Sequence, residues 1–263
     1  MSPGTKRHPQ ERLRELPLAE HLRELRHRIL ASLAFFGVAF ILCYTFRDSI
    51  YDFATAPLAR AMRDNRIIAN MIYTKVTEAF TSNLSITFSA AQFLSIPFWS
   101  IELWLFITPA LYKDEKKQYL PYILLSPALF LLGAAFCYFL VLPPMFGFFL
   151  KYTNNEALAT PLILEAKIEE YVSLTSSLMN AFGICFLTPI FLGLLVRAGA
   201  VSRETLKSKR KYAVVLIFIA AAVLTPPDVV SQILLAVPLM AMYELSILLA
   251  RPKNPKSAPG KGK

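Results

Sequence analysis

The chain has 263 residues, 55% of them hydrophobic and 17% charged, with a mean hydropathy of +0.46 and a formal net charge of +10. Soluble domains carry about 25% charged residues, so this balance excludes an ordinary water-soluble fold. In a soluble protein the positive charge would suggest nucleic acid; distributed among apolar runs it bears on membrane topology instead, and no nucleic-acid partner is expected.

Six hydrophobic segments follow one another along the chain. They are Ile29–Phe46, Ala79–Ala110, Tyr119–Leu150, Tyr171–Val196, Tyr212–Leu224 and Val229–Ala250. A helix needs about 20 apolar residues to cross a hydrocarbon core about 30 Å thick. Unbroken apolar runs without alternation predict helices, since only helices or closed barrels satisfy the backbone in lipid. The expected fold is therefore all-α, an integral membrane protein with six transmembrane helices, two of them short. Its parts are an N-terminal arm and interfacial helix (1–28), a six-helix domain (29–250) and a disordered basic tail (251–263).

The first segment is too long for the apolar core of a signal peptide and no small-residue cleavage site follows it, so no cleavable signal is expected. Segments two and three have 32 residues each. They would be roughly 48 Å long as straight helices and must tilt, kink or project. Pro97 and Pro127 are candidate kinks, and Pro143-Pro144 disturbs the outer end of segment three. Between segments one and two, residues 47–78 form a long loop with a short helix near YDFATAPLARAM. Segment five has thirteen residues and spans only about 20 Å. The hairpin LTPPDVVSQ follows it, with Asp228 placed to cap the next helix.

Lys and Arg fix the orientation. The side holding both termini carries 21 of them and the other side seven. The positive-inside rule puts both termini in the cytoplasm. The inventory also narrows the chemistry. There is no GxxxxGK[ST] loop and no HExxH, and His8, His21 and His27 all precede the first segment. No enzyme activity, cofactor or metal site is expected. Cys43, Cys137 and Cys185 each lie inside an apolar run and do not read as a disulfide framework.

Two charged stretches stand out. AEHLRELRHRIL (19–30) reads as a helix with Glu20, Glu24, His27 and Arg28 on one side. Its arginines suffice to anchor the inner end of segment one. The glutamates are then either intrahelical partners, Glu24 with Arg28 among them, or acceptors for a basic ligand. WLFITPALYKDEKK (104–117) lies on the same side and ends in Asp114 and Glu115. It reads either as an interfacial aromatic belt with a solvated loop, or as a second acceptor. A carboxylate pairs with a guanidinium in a planar fork that lysine cannot copy.

HLRELRHRIL (21–30), APL (56–58), WLFITPALYKDEKK (104–117), NAFGICF (180–186) and LTPPDVVSQ (224–232) occur in that order. From about residue 18 to 250 the chain resembles TatC, the six-span core subunit of the twin-arginine protein translocase. The resemblance implies a receptor for signal peptides bearing two adjacent arginines. It implies export of folded proteins across the cytoplasmic membrane, driven by the proton-motive force, with TatA- and TatB-type single-span partners in a homo- and hetero-oligomer within the lipid. It assigns signal-peptide binding to Glu24, Arg26, Phe106 and Glu115. It marks Pro57, Asp228 and Gln232 as outer-side structural or partner-contact positions.

The chain departs from the family in three places. Leu187, in FGICFLTP, stands where the family has a glutamate or glutamine in span four. Glu102 stands where relatives often have glutamine, and Ser85 lies where a lysine is common. Intramembrane carboxylates are costly and therefore functional candidates, here Glu102 and Glu244. The pairing of loss and gain suggests that the polar point has moved from Leu187 to Glu102, the alternative being that Glu102 snorkels at the inner interface. A secondary transporter of a small solute, a membrane enzyme and a scaffold without a recognition site are the other classes; inverted repeats and midplane polar residues would mark the transporter.

Overall fold

A computed structural model describes residues 18–65, 70–107, 116–153, 165–197, 199–225 and 229–249. Within these, ten α-helices and one pair of short strands form the fold. Expectations about the arm before residue 18, Asp114, Glu115, Pro226-Pro227, Asp228 and the basic tail lie outside the described residues.

Helix α1 (Leu18–Thr45) joins the charged stretch and the first apolar run in one helix of 28 residues. It lies along α3 (Glu78–Ile107). Phe35 stacks on Phe98 at 4.4 Å and the Trp99 indole N–H donates to the Ser32 carbonyl at 3.2 Å. After a turn at Phe46, α2 (Arg47–Asp64) replaces the short helix expected there, with 18 residues. It buries Pro57, Leu58, Ala61 and Met62. Strand β1 (Asn70–Ile72) pairs in parallel with β2 (Glu165–Lys167), Met71 opposite Ala166. This ladder ties the connection after α2 to the segment preceding residue 168.

Helix α4 (Lys116–Phe136) continues through a π-helical turn, Cys137–Val141, into α5 (Leu142–Thr153). The two prolines at 143 and 144 cannot donate to the carbonyls four residues back, and their rings crowd them. The wider π turn sits directly before them and takes up that mismatch. The fourth apolar segment is divided. Helix α6 (Ile168–Phe186) ends at Leu187, whose N–H bonds the Ile184 carbonyl at 3.0 Å, and α7 (Thr188–Arg197) begins there. Pro189, two residues on, has no N–H to continue the ladder. By contrast α3 runs through Pro97 and α4 through Pro127 without interruption.

Helix α8 (Arg203–Ser208) is capped by the Ser202 hydroxyl, which accepts the Thr205 N–H at 3.0 Å. Helix α9 (Arg210–Leu224) has 15 residues and α10 (Val229–Leu249) has 21. The main core joins α2, the π turn, α5, α6 and α10 through Leu58, Tyr138, Leu142, Phe182 and Leu235. Helices α4 and α6 touch at two glycines: a Cβ on Gly133 would lie 2.6 Å from the Phe182 carbonyl, and one on Gly183 would lie 2.5 Å from the Phe130 ring. Small residues allow this approach in membrane bundles. Among the described residues five helical stretches are long and apolar enough to cross a membrane: α1, α3, α4–α5, α6–α7 and α10. The other expected crossing is the short α9.

Candidate functional site

The charged turn of α1 packs against the end of α3. Glu24 and Arg28 are one helical turn apart, so their side chains meet. Arg28 donates from Nη2 and Nε to Glu24 Oε1 at 2.6 and 3.2 Å. The third contact comes from far along the chain: Arg28 Nη1 donates to Glu102 Oε2 at 3.0 Å. One guanidinium thus serves two carboxylates. The side chains of Glu24, Arg28 and Glu102 are 28%, 19% and 18% exposed, so these pairs are shielded more than ordinary surface ion pairs. One turn further along, the His21 imidazole stacks on the Phe106 ring, centroids 4.4 Å apart. Glu102 and Phe106 are themselves four residues apart, on one face of α3. Two elements separated by some 75 residues of sequence therefore present one composite surface of carboxylate, guanidinium and aromatic ring. Trp104 holds the end of α3 to α4 through its indole N–H, which donates to Ser126 Oγ at 3.1 Å.

This surface is suited to a guanidinium ligand. Carboxylates accept planar forks, and an aromatic face beside them takes a cation or an apolar stem. The family model described as "Sec-independent protein translocase protein (TatC)" matches residues 20–238. The chain belongs to the TatC family. It is a component of a protein translocase, a membrane protein of protein transport and not an enzyme. It is 43% identical over 235 residues to the TatC protein of Magnetococcus marinus, covering 89% of this chain and 84% of that one. It is 42% identical over 230 residues to TatC of Rickettsia prowazekii, covering 88% and 90%. Two crystal structures of the twin arginine translocase receptor TatC superpose on it, with TM-scores of 0.72 and 0.75. Sequence identities are 36% and 35%, with 88% of this chain covered and 98% and 100% of the others.

Of the residues the TatC resemblance assigns to the signal peptide, Glu24 and Phe106 lie on the composite surface. Arg26 is exposed and makes no ion pair among the described residues. Glu115 falls outside them. On the other assigned positions, Pro57 is buried within α2 and Gln232 of α10 donates from Nε2 to the Phe218 carbonyl of α9 at 3.1 Å. Ser85 is exposed on α3. Glu244 pairs with Arg210 at 2.6 Å, both half-exposed, which joins α10 to the start of α9. Leu187 sits at the break between α6 and α7, whereas Glu102 is engaged by Arg28.

Sequence reasoning missed a polar seam between α3 and α6. Gln92 Nε2 donates to Asn180 Oδ1 at 2.8 Å, and Ser176 and Ser89 hydroxyls bond at 2.9 Å. The available signal was two amides inside apolar runs. Beside the seam lies an apolar cavity of about 450 Å³, bounded by Phe53, Phe93, Leu131, Tyr138, Thr175 and Met179.

Proposed function

We propose that this TatC-family chain is the signal-peptide receptor and core subunit of a twin-arginine translocase, exporting folded proteins across the cytoplasmic membrane on the proton-motive force. The observation that carries the reading is the Glu24–Arg28–Glu102 cluster beside Phe106, a partly shielded carboxylate surface in a protein whose charge is otherwise strongly basic. Glu24 and Glu115 accept the two arginines of the signal. Phe106 supplies an aromatic wall, and Arg26 contacts the signal's polar groups or the lipid headgroups.

The chain crosses the membrane six times, α9 supplying the short crossing, with both termini in the cytoplasm. The concentration of Lys and Arg on one side of the six segments supports this orientation. Residues 1–28 form the cytoplasmic arm and the first turns of α1, residues 29–250 the membrane domain, and residues 251–263 a basic cytoplasmic tail. Partners are TatA- and TatB-type single-span subunits. Pro57, Asp228 and Gln232 shape the outer side against them, and Glu102 and Glu244 are the ionisable residues of the spans.

The test is export of a folded reporter in membranes that lack their own TatC and are supplied with this chain and its single-span partners. Export is expected for a twin-arginine signal, is lost for a twin-lysine signal and collapses when a protonophore is added. Export that persists without a proton gradient, or that accepts both signals equally, would contradict the reading.

A further inference from the structure

We propose that Arg28 is an internal competitor for the carboxylate that receives the ligand's arginine, and that Glu102 is the second seat onto which Arg28 moves when the ligand arrives. This rests on the receptor reading of Glu24 and adds to it a source of arginine selectivity.

The geometry carries the argument. Both donors that Arg28 gives to Glu24 fall on one oxygen, Oε1. Among the described residues Glu24 Oε2 and Glu102 Oε1 accept no hydrogen bond. A ligand guanidinium needs both oxygens of Glu24 for a planar fork. Arg28 holds one of them, so the fork forms only if Arg28 leaves. Its Nη1 already touches Glu102, so a rotation toward that carboxylate is enough. The exchange ends with two guanidinium–carboxylate pairs in place of one shared guanidinium.

Charge points the same way. Two carboxylates and one guanidinium leave the shielded cluster with one negative charge in excess. A second guanidinium completes it. A lysine ammonium is a point charge without a fork and displaces the intramolecular Arg28 poorly, because the i,i+4 contact is held in place by the helix. Selectivity for arginine thus arises from competition at Glu24 as well as from direct fit.

The experiment measures binding of twin-arginine and twin-lysine signal peptides to the full-length protein in detergent, each variant first shown to be monodisperse. Glu102→Gln removes the second seat and the excess charge, and should weaken twin-arginine binding about tenfold, the size of one charge-assisted hydrogen bond. Arg28→Gln in the Glu102→Gln background removes the competitor and restores the excess charge, so affinity should return to within about threefold of wild type. Arg28→Gln alone should raise twin-lysine binding and cut the arginine-to-lysine ratio about tenfold. A double variant no tighter than Glu102→Gln would make Arg28 a scaffold for Glu24 and overturn the exchange. So would unchanged binding in Glu102→Gln. Glu24→Gln separates the two levels: wild-type binding insensitive to it overturns the receptor reading and the exchange together, whereas sensitivity without rescue overturns the exchange alone.

Discussion

Gly133 sets how closely α4 and α6 approach, and replacing it should separate them. A Cβ at this position would lie 2.6 Å from the Phe182 carbonyl oxygen and 2.9 Å from Phe186 Cβ and Cγ. The oxygen belongs to the backbone of a helix, so it cannot rotate away, and relief requires α6 to move. Overpacking of this kind costs about 1–3 kcal/mol. Alanine's better helix propensity returns at most about 1 kcal/mol. Gly133→Ala should therefore be net destabilising by about 1–2 kcal/mol. Gly183→Ala meets the far edge of the Phe130 ring at 2.5 Å. That ring can swing, so the cost is smaller and Phe130→Leu should relieve it. Gly37→Ala meets nothing within 4 Å and should be neutral or stabilising. Thermal unfolding of the three purified variants in one detergent, followed by fluorescence-detected gel filtration, gives the order. Wild-type stability in Gly133→Ala, or a larger loss in Gly37→Ala than in Gly133→Ala, would refute the close-approach argument.

On the proposed six-crossing reading a 15-residue α9 crosses only by thinning the bilayer locally, so lengthening it by one apolar turn should impair export and spare signal-peptide binding; unchanged export in a vesicle assay would remove short α9 from the mechanism. Gln92→Leu and Asn180→Leu should each cost about 0.6–1.7 kcal/mol of stability, the first by leaving Asn180 Oδ1 without its donor while Asn180 Nδ2 keeps the Ser176 carbonyl, the second by leaving Gln92 Nε2 without its acceptor. The double change should cost less than the two added together, and a strictly additive double-mutant cycle would mean that their 2.8 Å bond contributes nothing.

Most helices were legible because apolar runs this long have one structural answer in lipid. The Glu24–Arg28 bond was one of the two readings that helical spacing offered for Glu24. What was not legible depends on distance along the chain. Glu102 could be noted as a costly carboxylate, but its contact with Arg28 crosses 74 residues and no periodicity reports it. The His21–Phe106 stack and the Gln92–Asn180 pair are hidden for the same reason. The β1–β2 ladder is three residues long, too short for alternation to register. Proline positions were visible, and so was a disturbance at Pro143-Pro144, but its form as a π turn was not. Pro97 and Pro127 stay inside continuous helices, a π turn precedes Pro143-Pro144, and the interruption falls at Leu187, before Pro189. A membrane helix tolerates proline where neighbouring helices, hydroxyl side chains or a local change of helix type satisfy the freed carbonyl.

The central claim is that acidic side chains of this chain receive the arginines of a signal peptide. Binding of a twin-arginine peptide and its twin-lysine variant should be measured on the wild-type protein and on Glu24→Ala combined with Glu115→Ala. Tight, arginine-selective binding that the double change abolishes is the predicted result. Binding that ignores both changes would contradict the account and leave Glu24 as a structural partner of Arg28.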